Sequence, residues 1–269
     1  MASTIPRSYL FVPGNRAERF DKALAAGADA VIIDLEDAVA PADKSAARLA
    51  LTRWLTPGHQ VLVRINGADT PWFADDLHAC RHAGVHGIVL PKAEREQDLA
   101  HVHATLGVAV LPLIETARGI DQARQLACVE GVQRLLFGTI DFKLDLGIHG
   151  DREELHYFRS ALVLASRLAG IAAPVDGVTT AIDDPQQIRT DTDHGRRMGF
   201  GAKLCIHPRQ LAAIHAAFAP SSDEVRWAQR VLAAAGAAGP GAVALDGKMI
   251  DRPVIVQAEQ VLARAAGPA

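Results

Sequence analysis

Two acidic residues carry the strongest chemical signal in this sequence. Glu115 closes the apolar run Val110–Ile114, and Asp141 follows the apolar run Leu135–Phe137 after a Gly-Thr-Ile step. The interval between them is that of one βα unit, roughly 25 to 35 residues, which places the two acids at the C-terminal ends of neighbouring parallel strands. Most Asp and Glu residues are solvated loop acids. What sets these two apart is that each terminates a strand of the buried kind. With no Cys or His beside them, the pair suits a hard divalent cation such as Mg2+.

Positioning such a pair requires a scaffold of strands. Strand-like runs recur at Tyr9–Val12, Ala30–Leu35, Val61–Ile65, Gly87–Leu90, Val108–Ile114, Arg134–Phe137, Val175–Val178 and Ala202–Ile206. Most are continuous Val/Ile/Leu runs, as expected of parallel strands covered on both faces. Helical patterns lie between them. Leu155, Phe158, Leu162, Ala165 and Ala169 mark one helix face, and Asp184-Pro185 reads as an N-cap followed by Pro in the first turn. This alternation predicts a (β/α)8 TIM barrel over residues 1–220. An open doubly wound sheet is the runner-up, but no GxGxxG follows a strand. Residues 221–269 form an extension outside the barrel. It comprises a helix over Ser221–Ala235, a Gly/Pro break over Gly236–Gly241, an extended or hairpin-like Ala242–Asp251, and a second helix over Val254–Ala265. This extension must cap the barrel or reach a neighbouring subunit.

Composition narrows the classes. The net charge of −3 over 269 residues gives no basis for nucleic-acid or anionic-membrane binding, and no apolar stretch approaches the ~20 residues a membrane span needs. Hydrophobic content of 49% supports a large core. Cys80, Cys128 and Cys205 form no CxxC, which suits a reducing cytoplasm.

Barrel active sites gather at the strand C-termini. The polar residues there are Asn15 and Arg16, then Asp34, Glu36 and Asp37, then Arg64 and Asn66, then Lys92, Glu115, Asp141, Asp176 and His207. Arg64 could grip a carboxylate or an enolate oxygen with paired N–H donors, or form an ion pair with Glu36 or Asp37. One of Glu36 and Asp37 would orient metal-bound water or Arg64. Lys92 offers a Schiff-base alternative. His207-Pro208 reads as a helix start more readily than a base, and Asp145 as a cap or loop acid.

With these residues in hand, the chain resembles the citrate lyase β-subunit-like proteins, including malyl-CoA and citramalyl-CoA lyases, within the metal-dependent aldolases built on the phosphoenolpyruvate/pyruvate barrel. The resemblance rests on Arg7–Arg16, Ile33–Val39, Val63–Asn66, Leu90–Lys92, Ile114–Gly119, Phe137–Phe142 and Gly247–Asp251. It implies that Glu115 and Asp141 bind Mg2+ or Mn2+, that Arg64 contacts the oxo acid or nascent enolate, and that Phe11, Arg16 and Lys22 grip coenzyme A. It also implies that Asp251 reaches a neighbouring subunit's site as acid/base in a homotrimer. From its place after the second strand, Glu36 joins Arg64 and Asp251 as a catalytic candidate. The implied reaction is retro-Claisen cleavage of a 3-hydroxy-3-carboxyacyl-CoA (citramalyl-, malyl- or citryl-CoA) to acetyl-CoA and a 2-oxo acid. The alternatives are an aldolase acting on free 4-hydroxy-2-oxo acids, or the β subunit of a multi-enzyme citrate lyase that needs an acyl-carrier partner. The chain lacks the extended tails of many malyl-CoA lyases.

Overall fold

In the run Ala30-Val-Ile-Ile-Asp34 the last four residues are all buried, as befits a strand with an apolar layer on each side. Seven further strands share that environment. The computed structural model describes residues 6–238 and 243–266. Its parallel strands are β1 (Ser8–Pro13), β2 (Ala30–Asp34), β3 (Val61–Arg64), β4 (Val85–Leu90), β5 (Ala109–Ile114), β6 (Arg134–Phe137), β7 (Ala172–Asp176) and β8 (Ala202–Cys205). They follow one another in sequence order and close into a barrel, where Ser8 of β1 lies opposite Lys203 of β8. This is the α/β TIM-barrel fold expected from the sequence. Tyr9, Ile32, Val89, Leu111, Leu113, Leu136, Val175 and Leu204 fill the interior.

The helices are α1 (Phe20–Leu24), α2 (Lys44–Trp54), α3 (Phe73–Ala79), α4 (Glu96–Leu106), α5 (Ala117–Asp121), α6 (Ala123–Ala127), α7 (Thr139–Leu146), α8 (His156–Leu168), α9 (Pro185–Arg197), α10 (Leu211–Phe218), α11 (Ser222–Ala238) and α12 (Arg252–Ala265). Asp184 caps α9 as expected, accepting the Gln187 N–H at 2.9 Å. None of the described helices is long and apolar enough to cross a membrane. Cys80, Cys128 and Cys205 are all free thiols.

β7 differs from its sequence expectation by beginning at Ala172 and ending at Asp176. Ala-Ala-Pro carries no strand signature of its own. The segment is recruited by its neighbours: Ala172 pairs with Arg134 of β6, and the Arg134 guanidinium donates to the Ala173 carbonyl at 2.5 Å. The same guanidinium reaches the Pro6 carbonyl at 2.6 Å and the Tyr9 hydroxyl at 3.1 Å, which ties down the N-terminal end of the barrel.

The chain divides into two compact units after His215. In the second, α11 and α12 pack around Ala228, Val231, Ile250, Ala258 and Val261. Gly236 does not end α11, which continues to Ala238. The surrounding alanines are the strongest helix formers and offset the roughly 1 kcal/mol penalty of one glycine. Residues 239–242, where the rest of the expected Gly/Pro break falls, lie outside the described residues. The short strands β9 (Val243–Leu245) and β10 (Lys248–Ile250) form an antiparallel hairpin. Its turn residues Asp246 and Gly247 both have positive φ, 52° and 72°. That is the type I′ requirement that Asp-Gly meets.

Ser221 and Glu224 form a reciprocal capping box at the start of α11, with bonds of 3.1 and 2.7 Å. Ser221→Ala should therefore lower stability by about 1 kcal/mol, read as a shift in the denaturation midpoint without a change in slope. An unchanged midpoint would show that this cap contributes nothing.

Candidate active site

Glu115 follows the last residue of β5 and is only 2% exposed. One carboxylate oxygen, Oε1, accepts the backbone N–H of Lys92 at 2.8 Å. Lys92 holds an unusual backbone conformation to make that bond, with φ of +47°. A non-glycine residue in the left-handed region is a strained one, and here the strain aims an N–H at a buried acid. The other oxygen, Oε2, faces the end of β6. A Cβ on Gly138 would sit 2.5 Å from it and 2.7 Å from the Glu115 Cβ, so the bare glycine backbone is what lets the two strand ends close around the carboxylate.

Asp141 stands in the first turn of α7. A carboxylate there is favoured by the helix dipole. The next residue, Phe142, anchors the helix: it is fully buried, edge-on to Phe137 of β6 at 5.1 Å and to Phe158 of α8 at 4.7 Å. This packing fixes Asp141 across the mouth from Glu115. Both acids line one cavity of about 450 Å³ together with Phe11, Asp34, Asp37, Arg64 and Gly138.

Burial pushes the Glu115 carboxyl up to about 8; nearby Glu36 and Asp141 add to the rise, while Arg64 and the Lys92 N–H oppose it. Mutual destabilisation of this kind is what a bound cation relieves. No cluster of three or more His, Cys, Asp or Glu residues suited to a metal occurs among the described residues. Two carboxylates lining one cavity, Glu115 and Asp141, are the hard oxygen donors that suit a hard cation, with water or substrate oxygens completing its shell.

Arg64 ends β3 directly opposite Asp34 of β2 in the barrel register. The two form a bidentate pair, with Nε to Oδ1 at 2.8 Å and Nη2 to Oδ2 at 2.6 Å. Nη1 lies 2.9 Å from Glu36 Oε2, an ion pair without hydrogen-bond alignment. The guanidinium also sits over the Phe11 ring, 4.9 Å from its centroid. Burial works against the Arg64 charge, yet Asp34, then Glu36 and Glu115, hold its pKa above the usual arginine range. The expected ion pair to Glu36 is present, and Asp34 rather than Asp37 is the dominant partner.

Glu36 bridges to Lys92, whose Nζ lies 3.0 Å from Oε1. Burial raises the Glu36 pKa despite Arg64 and Lys92. Two backbone carbonyls of this loop, Leu35 and Glu36, accept from the buried Lys44 ammonium at 2.8 Å each. The Lys92 pKa is raised, because the acids Glu36 and Glu115 outweigh its desolvation. A protonated, ion-paired amine is a poor nucleophile, so the Schiff-base alternative is set aside.

Several candidates lie elsewhere. Arg16 pairs with Glu18 at 2.7 Å, Lys22 is exposed on α1, and neither lines the cavity. His207 caps a helical turn through the Arg209 N–H at 3.2 Å, and Asp145 accepts the Ala117 N–H at 2.7 Å. These bonds are those of the helix-start and cap readings. Asp176 is buried and paired with Arg159 at 3.0 Å. In the second unit, Asp251 caps α12, accepting the Val254 N–H at 3.4 Å.

Gly138 and the Lys92 backbone N–H are elements of the cavity that sequence spacing did not single out, and Asp34, named there as a strand-end acid, was not linked to Arg64. Gly138→Ala should weaken divalent-cation binding by at least about tenfold while leaving the far-ultraviolet circular dichroism unchanged. The added methyl displaces a carboxylate by tenths of an ångström, and metal sites tolerate only about 0.2 Å. Cation titration that gives wild-type affinity would refute this role for the glycine.

A closed parallel barrel whose strand C-termini converge on paired acids and an arginine is an enzyme scaffold, with chemistry at that end. The HpcH/HpaI aldolase/citrate lyase family matches residues 7–208, and the chain belongs to it. It is 38% identical over 282 residues to a citrate lyase subunit beta-like protein of Deinococcus radiodurans, covering 97% of each chain. It is 39% identical over 271 residues to a (3S)-malyl-CoA thioesterase of Cereibacter sphaeroides, covering 96% of this chain and 94% of that one. The crystal structure of CitE from Mycobacterium tuberculosis in complex with magnesium, acetoacetate and coenzyme A superposes with a TM-score of 0.89 at 36% identity, covering 98% of this chain and 99% of that one.

Proposed function

We propose that this chain is a Mg2+-dependent carbon–carbon lyase that cleaves a 3-hydroxy-3-carboxyacyl-CoA (citramalyl-, malyl- or citryl-CoA) into acetyl-CoA and a 2-oxo acid. The observation that carries the reading is Glu115, a buried acid with a raised pKa, held by Lys92 and Gly138 across a cavity from Asp141. The magnesium, acetoacetate and coenzyme A of the Mycobacterium tuberculosis relative support it.

Glu115 and Asp141 would hold Mg2+, or Mn2+, which supplies Lewis acidity to the substrate hydroxyl and the carboxylate beside it. Asp34 and Glu36 fix the plane of Arg64, so the remaining N–H donors meet the thioester oxygen as enolate charge develops, with little reorganisation. Phe11 beneath the guanidinium keeps this part of the cavity apolar. The substrate hydroxyl gives its proton to the acid/base group, and its oxygen becomes the carbonyl of the 2-oxo acid as the carbon–carbon bond breaks. The electron pair moves onto the acyl-CoA fragment, and the same proton then closes that carbon. Asp251, contributed by another subunit of a homotrimer, would deliver it. Arg16 and Lys22 would hold the phosphates of coenzyme A.

The relative from Cereibacter sphaeroides gives a second reading, hydrolysis of the thioester. One experiment separates the possibilities. Purified full-length protein is incubated with Mg2+ and each CoA ester, and the products are resolved by mass spectrometry. A lyase yields acetyl-CoA and a 2-oxo acid and consumes no water. A thioesterase yields free coenzyme A and the corresponding free hydroxy acid. Cleavage of free 4-hydroxy-2-oxo acids alone would indicate an aldolase, and turnover only on an added acyl-carrier protein would indicate a citrate lyase subunit.

A further inference from the structure

A second cavity, of about 220 Å³, lies at the same end of the barrel, between α7, α9 and the loop after β7. It shares only Thr139, Ile140 and Val178 with the larger one. Four basic side chains line it, Lys143, Arg152, Arg159 and Lys203, against the carboxylates of Asp151 and Asp191. These acids are already engaged. Asp151 pairs with Lys143. Asp191 accepts from Thr179 at 2.8 Å and Gln187 at 2.7 Å, with Arg152 at 3.6 Å.

Lys203 is the cation left without a direct ion pair: burial lowers its pKa, and Asp176 and Asp191 oppose that fall only from a distance. Lys203 points outward from β8, on the side opposite the interior residues Ala202 and Leu204 and toward the helices. It is 2% exposed, and its ammonium donates to the Gly177 carbonyl at 2.6 Å. Among the described residues no carboxylate lies within ion-pair distance of it. Asp176, the nearest candidate, is taken by Arg159 at 3.0 Å. An ammonium has three donors and rarely stays buried unless paired. On the same wall His194 is held below its usual pKa, by burial first and then by Arg159 and His156, with Asp176 opposing.

We propose that this cavity is a binding site for a small oxyanion, a phosphate or a carboxylate, seated on Lys203 and Arg152. The volume is below the ~300 Å³ at which pockets for drug-sized ligands begin, so the occupant is a small anion rather than a nucleotide. The site is separate from the paired acids and does not depend on the lyase reading.

The test is thermal unfolding of the full-length protein, free of divalent cations, with sodium phosphate, sodium acetate or sodium chloride at matched ionic strength. Phosphate or acetate should raise the midpoint saturably where chloride does not, and which of the two acts identifies the occupant's chemistry. Arg152→Gln at the rim and Lys203→Met at the floor should each weaken the effect about tenfold or more, while Asp141→Asn leaves it intact. If Lys203→Met fails to fold, Arg152→Gln decides the matter alone. The proposal is overturned if neither anion acts beyond chloride, if Arg152→Gln binds like the wild type, or if Asp141→Asn abolishes the effect.

Discussion

Replacing Glu115 with glutamine, or Asp141 with asparagine, should lower Mg2+-dependent turnover about a thousandfold or more, since loss of one ligand removes about 4 kcal/mol of transition-state stabilisation. The glutamine variant carries a second, independent signature. In the metal-free folded protein the Glu115 carboxyl keeps its proton up to about pH 8, whereas its ordinary value is 4.5. The unfolded chain therefore releases this proton first. The contribution of this one group to stability falls as pH rises from about 4.5 to about 8 and is constant outside that window. Cation binding expels the same proton, so affinity rises with pH over the same range. Glu115→Gln has no proton to lose, and its unfolding midpoint in EDTA should lack that component of the wild-type pH dependence. Calorimetry with and without Mg2+ between pH 5 and 9 reads both effects. Near-normal Mg2+-dependent turnover in either variant would remove the acids from the site.

Much of this site is legible along the chain because a barrel turns sequence order into spatial order. Glu115 directly follows β5, and Asp141 lies in the first turn of the helix after the neighbouring β6 rather than at the strand's own end, so their one-dimensional spacing becomes adjacency at one rim. Arg64 was legible for the same reason. Its partner was not. Asp34 meets Arg64 through the lateral register of β2 and β3, which depends on barrel closure rather than on local pattern. Lys92 was visible as a charge, but its role runs through a backbone N–H whose left-handed φ no side-chain pattern encodes. Gly138 was visible only as a loop residue, since its function is the absence of an atom beside Glu115. The fold shows the same division. Val/Ile/Leu-rich strands announce themselves, whereas Ala-Ala-Pro in β7 is extended because Arg134 and the flanking strands hold it there.

Asp34→Ala should destabilise the protein by about 3–5 kcal/mol, the usual consequence of removing one partner from a buried ion pair. Asp34 is 2% exposed, and it satisfies two Arg64 donors as well as the backbone N–H of Glu36 at 2.9 Å. Without it, the largely buried guanidinium retains Glu36 alone, and one cation is left facing one acid whose own charge is already disfavoured by burial. A fall in unfolding midpoint on the order of 10 °C follows for a chain of this size. Asp34→Asn keeps the shape and one acceptor oxygen, so its structural penalty is smaller. Arg64 then loses the charge that fixes its plane, and kcat should fall more than KM rises, because the interaction lost belongs to the transition state. A double variant, Asp34→Ala with Arg64→Met, isolates the pair. Removing the stranded cation should restore part of the stability lost in Asp34→Ala, giving a coupling energy of about 1 to 3 kcal/mol. Strict additivity would mean that the two side chains act independently, and the positioning role assigned to Asp34 would fall with it.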